Sequence, residues 1–203
     1  MSGRLDGGPS GAPSARLSRD ALEFGLKQII RRLHESGAPA EMSIVGGAAI
    51  SLWHNARRGA TQDIDAVLAP ADVILEVARS IAFEQGWPDD WVNDKARIFL
   101  PSGMGARGEE WVTVYASGAV TVRVASLDML IAMKLHAAQR RGRREYEDLR
   151  VLLAEGGITT AAQGEELFDG FYPGDGLNTT AYRLLEVALE HPEHAEVQAP
   201  DFE

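Results

Sequence analysis

The stretch "SIVGGAAISLWHNARRGATQDIDAVL", residues 43–68, decides the fold. An apolar run over 42–45, bounded by glycine, predicts a buried strand. Gly46-Gly47 is a turn, and 48–57 reads as a helix with an apolar face at Ala49, Leu52 and Trp53. A second strand is predicted over 63–68. Side chains alternate along a strand, so Asp63 and Asp65 share one face while Ile64 points into the core. Two carboxylates on one face repel, and burying them unpaired is costly. A shared proton, a basic partner or a divalent cation relieves that repulsion. A glycine pair after a strand lets backbone approach a ligand closely. The next helix then aims its free N–H groups and positive end at the same place, which suits phosphate. Phosphate cradle and carboxylate pair together are the minimal equipment for phosphoryl or nucleotidyl transfer, where positioning and charge neutralisation supply most of the catalysis.

Working outward, residues 1–17 are rich in Gly, Ser and Pro and read as a disordered leader. Ser18 is placed to cap a helix carrying Leu22, Leu26, Ile29, Ile30 and Leu33, closed at Gly37 and Pro39. Pro70 opens a helix with Val73, Ile74, Val77 and Ile81. A short strand is predicted over 96–100, and a hairpin joined at Ser117-Gly118 follows. Ser126 caps a helix bearing Leu127, Leu130, Ile131, Lys134 and Leu135, broken at Gly142. Two weaker helices follow Thr159. The order predicts an α/β (α+β) protein: a leader over 1–17, a core of small mixed sheet and helices over 18–125, and a C-terminal helical part over 126–203 packed on it.

The chain of 203 residues has no cysteine, which excludes disulfides, thiolate catalysis and cysteine-ligated zinc. No apolar run reaches the roughly 18 residues that span a bilayer, and no apolar signal core is visible near Met1. The expectation is therefore a cytoplasmic protein without a membrane partner. A net charge of −10 disfavours non-specific nucleic-acid binding and leaves room for a local basic patch.

Gly46-Gly47 followed by Thr61-x-Asp63-Ile64-Asp65 resembles the signature of the nucleotidyltransferase superfamily related to DNA polymerase β, and within it the bacterial AbiEii-like and DUF6036-like groups. "LIAMKLHAAQRRGRREYEDLRVLL", residues 130–153, is similar to the family's later block, a lysine in a KLxA helix followed by an acidic pair. "WVNDKARIFLP", residues 91–101, resembles a recurring DUF6036 segment, and the resemblance spans about residues 42 to 154. It implies a metal pair at Asp63 and Asp65 for Mg²⁺ or Mn²⁺. It also implies nucleotide contacts at Gly46, Gly47, Thr61 and Lys134, with Asp148 as a base or a further acid and Glu145 in the place of the other aspartate. An NTP would then donate its NMP to an acceptor hydroxyl on an RNA 3′ end or a protein side chain. A cognate antitoxin is a possible partner, since many AbiEii-like members are toxins.

The chain departs from the family in two places. "VTVYASGAVTVRVAS", residues 112–126, holds no third carboxylate. Ala60 stands where relatives near the threonine carry arginine, and Arg58 is the nearest substitute. Two alternatives stay open. One is a fold whose chemistry has lapsed, serving as a binding module. The other is a transferase acting on a small antibiotic-type acceptor, for which a deep acidic pocket would speak.

Three further features carry competing readings. Arg140, Arg141, Arg143, Arg144 and Arg150 form either an acceptor contact or a helix face paired with Glu145, Glu147 and Asp148. Trp87 and Trp91 suit core packing or base stacking. Tyr172 suits a loop anchor or the wall of a cleft. The five histidines show no metal-ligand spacing.

Overall fold

The computed structural model describes residues 16–101 and 104–202. Helix α1 (Arg19–Ser36) starts where expected: the Ser18 hydroxyl accepts from the Ala21 N–H, and Gly37 at φ 67° ends it. Its face of Leu22, Leu26, Ile29, Ile30 and Leu33 is buried, each side chain contributing about 1.5–3 kcal/mol. Then come β1 (Ala40–Val45), α2 (Gly46–Trp53), β2 (Ile64–Ala69), α3 (Ala71–Gln85) and β3 (Val92–Asn93). The hairpin is β4 (Trp111–Ser117) and β5 (Val120–Ala125). Helices α4 (Leu127–Arg141), α5 (Tyr146–Glu155), α6 (Ala161–Phe171) and α7 (Thr179–Glu190) complete the chain. The protein is thus an α+β fold with a mixed five-stranded sheet of order β3-β2-β1-β5-β4. β1 is central, antiparallel to β2 and parallel to β5.

α1 packs on α3 and α2, while α4 to α7 pack chiefly on one another and reach the sheet unit through α2. One continuous apolar core runs through both parts. Three ties fix the short α2 and the loop after it. Arg19 donates to the carbonyls of Ser51 and Leu52, His54 Nδ1 meets Glu155 at 2.9 Å, and Arg58 meets Asp148 on α5.

The structure corrects the sequence reading at some points and chooses between its alternatives at others. Leu17, assigned to the leader, is buried and forms a β-bridge with Thr61; residues 1–15 of that leader lie outside the described residues. α2 begins at Gly46 and ends at Trp53, short of Arg57. The strand expected over 96–100 is a 3₁₀ turn, Lys95–Phe99, with Ile98 exposed; the strand is the two-residue β3, held against Ile64 and Asp65. Trp91 is core: it is fully buried, edge-on to Trp87 at 4.9 Å, and its Nε1 donates to Ala78 O. Tyr172 is a loop anchor whose hydroxyl donates to Phe99 O. Among the described residues no helix is long and apolar enough to cross a membrane.

Candidate active site

Strand register builds the site. Val45, the last residue of β1, pairs with Asp65 on β2, so the chain turns into α2 directly beside that carboxylate. A Cβ on Gly46 would lie 3.4 Å from Asp65 Oδ2, and Gly46 holds φ 67°, a left-handed backbone that glycine adopts without strain. No side chain caps the start of α2. Gly47 is needed for a different reason. A Cβ there would meet Arg58 Nη2 at 2.8 Å and Thr61 Oγ1 at 2.9 Å.

Ile64, Ala66 and Leu68 are buried, whereas Asp65 is half-exposed, as strand alternation requires. Asp63 stands just ahead of β2 and keeps the alternation. Its Oδ2 accepts from Asn93 Nδ2 at 3.0 Å, and Asn93 is itself buried on β3. Partial burial, then the charge of Asp65, pushes the Asp63 carboxyl up to about 6.

Gly46, Gly47, Asp63 and Asp65 share a cavity of about 330 Å³ with Lys134. α4 supplies the opposite wall through Leu130, Met133, Lys134, Ala137, Arg140 and Arg141, one stripe at helical spacing. Lys95 and Phe99 close the side. Lys95, Lys134, Arg140 and Arg141 line the wall; Lys95 is turned to Asp90 at 3.4 Å, Lys134 to Glu145 and Asp148, and Arg141 to Glu145, so Arg140 is the one of the four without a carboxylate partner among the described residues. Among the described residues no group of three or more His, Cys, Asp or Glu is arranged to hold a metal ion. A pair of carboxylates is nevertheless the donor set Mg²⁺ takes when substrate phosphates and water complete its shell.

Comparison of the chain with models of protein families, with curated proteins and with solved structures finds no match.

Lys134 Nζ lies 2.6 Å from Glu145 Oε2 and 2.7 Å from Asp148 Oδ2. Arg58 grips Asp148 with two bonds, Nε to Oδ1 at 2.7 Å and Nη2 to Oδ2 at 3.2 Å. The side chains of Glu145 and Asp148 are only 5% and 7% exposed. Burial raises the Asp148 pKa, but Lys134 and Arg58 outweigh it and hold the carboxyl below its usual range. Asp148 does not line the cavity, and both its oxygens are engaged. It fixes Lys134 and Arg58 rather than facing a substrate. Its partners are not Arg144 or Arg150, the neighbours at helical spacing. Thr61 likewise lies off the cavity wall, packed under Gly47 and bridged to Leu17.

The ion-pair reading of the arginine segment holds only for Arg141 with Glu145 at 3.9 Å and Arg150 with Glu147 at 3.3 Å. Arg140 instead stacks over Phe99, 5.1 Å from its centroid. His136, also on the wall, lies parallel to Tyr172 at 4.7 Å. Its pKa is lowered, first by burial and then by Arg140. Sequence reasoning missed Asn93, Lys95 and His136 as site residues. The stripe on α4 was the one signal available for the distal wall.

Proposed function

We propose that this protein is a Mg²⁺-dependent nucleotidyltransferase that moves an NMP from an NTP to an acceptor hydroxyl. The observation that supports it best is the cavity in which the glycine turn, the carboxylate pair and Lys134 meet, drawn from segments up to 88 residues apart in sequence (Lys134 minus Gly46). In this reading Asp63 and Asp65 hold Mg²⁺ or Mn²⁺, which when bound neutralises phosphate oxygens and makes the α-phosphorus more electrophilic. Gly46, Gly47 and the start of α2 hold the distal phosphates through backbone N–H groups. Lys134, aimed by Glu145 and Asp148, meets the phosphate chain, with Lys95, Arg140 and Arg141 adding positive field. The acceptor oxygen bonds to the α-phosphorus, the bond to the β-phosphate oxygen breaks, and pyrophosphate and a proton leave. The acceptor belongs to an RNA 3′ end or a protein side chain, and a toxin–antitoxin setting would supply a protein partner.

A binding module without transfer is the second reading. Its support is that two carboxylates offset the charge of Lys134, while β5 contributes only Arg123, itself paired with Glu41 at 2.6 Å. The cationic wall disfavours a cationic antibiotic as acceptor.

A thermal-shift panel tests the proposal: ATP, CTP, GTP and UTP, each with and without Mg²⁺, on wild type and Asp63→Asn/Asp65→Asn. A nucleotide at 100 times its Kd should stabilise by about 2.7 kcal/mol, roughly 5–10 °C here. The shift should require Mg²⁺ and vanish in the double variant. No shift with any NTP, in folded protein, would reject the transferase.

A further inference from the structure

A second concavity, of about 540 Å³, lies on the far side of the α4–α5 break. Gly142, at φ 52°, turns the chain sharply there. Arg140 and Arg141 line the first cavity, while Gly142 and Arg143 line the second, so the two meet at this turn. The remaining wall comes from one face of α7: Thr179 and Thr180 in its first turn, then Arg183, Leu184, Val187 and the following His191. Tyr146 closes the side. On a chain with 30 acidic residues, no carboxylate lines this concavity. The nearest acid on α5, Glu147, is turned to Arg150 at 3.3 Å. Arg143 and Arg183 come from different elements and are both exposed. Neither has an ion-pair partner among the described residues, whereas Arg19, Arg31, Arg32, Arg58, Arg97 and Arg107 are each paired with a carboxylate.

We infer that this concavity is a second ligand site, one that takes a phosphate ester. Guanidinium forks recognise phosphate oxygens by paired charge-assisted hydrogen bonds. The Thr179 and Thr180 hydroxyls add donors to the same wall. Leu184, Val187 and the Tyr146 ring provide an apolar floor on which a sugar or base can rest. Two sources share this chemistry: a free nucleotide, and the backbone of a polynucleotide whose end lies in the neighbouring cavity. The site does not depend on the carboxylate pair, so it stands or falls separately from the transferase reading.

The test is binding in EDTA, which silences metal-dependent occupancy of the first cavity. Two probes are titrated, ADP by calorimetry and a fluorescein-labelled oligouridylate by anisotropy. The proteins are wild type, Asp63→Asn/Asp65→Asn and Arg143→Gln/Arg183→Gln, each with its Tm recorded to verify folding. Wild type and the aspartate variant should bind at least one probe equally. The arginine variant, with unchanged Tm, should bind roughly tenfold more weakly per arginine lost. Tighter binding of the oligouridylate, with a salt dependence whose slope falls by about 1.4 in the arginine variant (about 0.7 per single-strand phosphate contact), identifies a polynucleotide backbone. ADP binding as tightly as the oligouridylate identifies a free nucleotide. Binding of neither probe, or equal binding by the arginine variant, overturns the site.

Discussion

Replacing Asp148 should disable the support behind Lys134. Arg58, Lys134, Glu145 and Asp148 form a neutral quartet of two cations and two carboxylates. Asp148→Asn leaves a net positive charge largely out of water. At an effective dielectric of about 20, a contact of 2.7 Å carries a gross attraction of about 6 kcal/mol, most of it offset by desolvation. Removing one member of a buried pair costs about 3–5 kcal/mol. The amide keeps an oxygen for Arg58, and Glu145 stays on Lys134, so the lower end, about 3 kcal/mol, is expected. For a chain of this length that is a fall of roughly 6–12 °C in Tm. Urea melts of Asp148→Asn, Arg58→Gln and the double variant form a cycle, with a coupling of about 1–3 kcal/mol expected. The pH dependence has a definite sign. The Asp148 pKa is depressed in the folded state, so its stabilisation is complete above the unfolded value of about 3.9 and is lost as pH falls through the folded one. The gap between wild type and Asp148→Asn should therefore close in acid. A coupling below about 0.5 kcal/mol, or a gap that persists at low pH, would refute the quartet as a unit.

Three other outcomes are expected. In EDTA, Asp63→Asn should be more stable than wild type at pH 7 by about 1 kcal/mol after allowance for solvent screening. The raised pKa of Asp63 makes folding less favourable as pH rises from about 4 through 6, so the gain should disappear near pH 4; a variant less stable than wild type at pH 7 would contradict this. Gly46→Ala should cost about 1–2 kcal/mol from its positive φ, whereas Gly47→Ala should also weaken the coupling of Arg58 to Asp148, because its methyl would displace Arg58 Nη2; the same urea cycle reads both. Gly25→Ala should cost about 1–3 kcal/mol by driving a methyl into the Trp91 ring, seen as a lower urea midpoint with altered tryptophan fluorescence.

Local chemistry made much of the fold readable. The caps at Ser18 and Ser126, the stop at Gly37 and the break at Gly142 act through neighbours a few residues away. Strand alternation placed Asp63 and Asp65 on one face with Ile64 in the core. The segment 96–100 misled because "ARIFL" is apolar by composition; it winds into a 3₁₀ turn in which Arg97 reaches Leu68 O and Ile98 is left in solvent. Leu17 was hidden in a polar leader because its partner, Thr61, lies 44 positions on (61 minus 17).

The sequence by itself determined the α+β class, the glycine turn and the carboxylate pair, because each depends on chain periodicity and on residues close in sequence. Only the tertiary structure decided which charges meet. Glu145 and Asp148 turn inward to Lys134, Arg58 crosses 90 positions to hold Asp148, and Asn93 steadies Asp63. Ion pairs and hydrogen bonds form across whatever distance packing closes, and packing is set by the core as a whole rather than by any one segment.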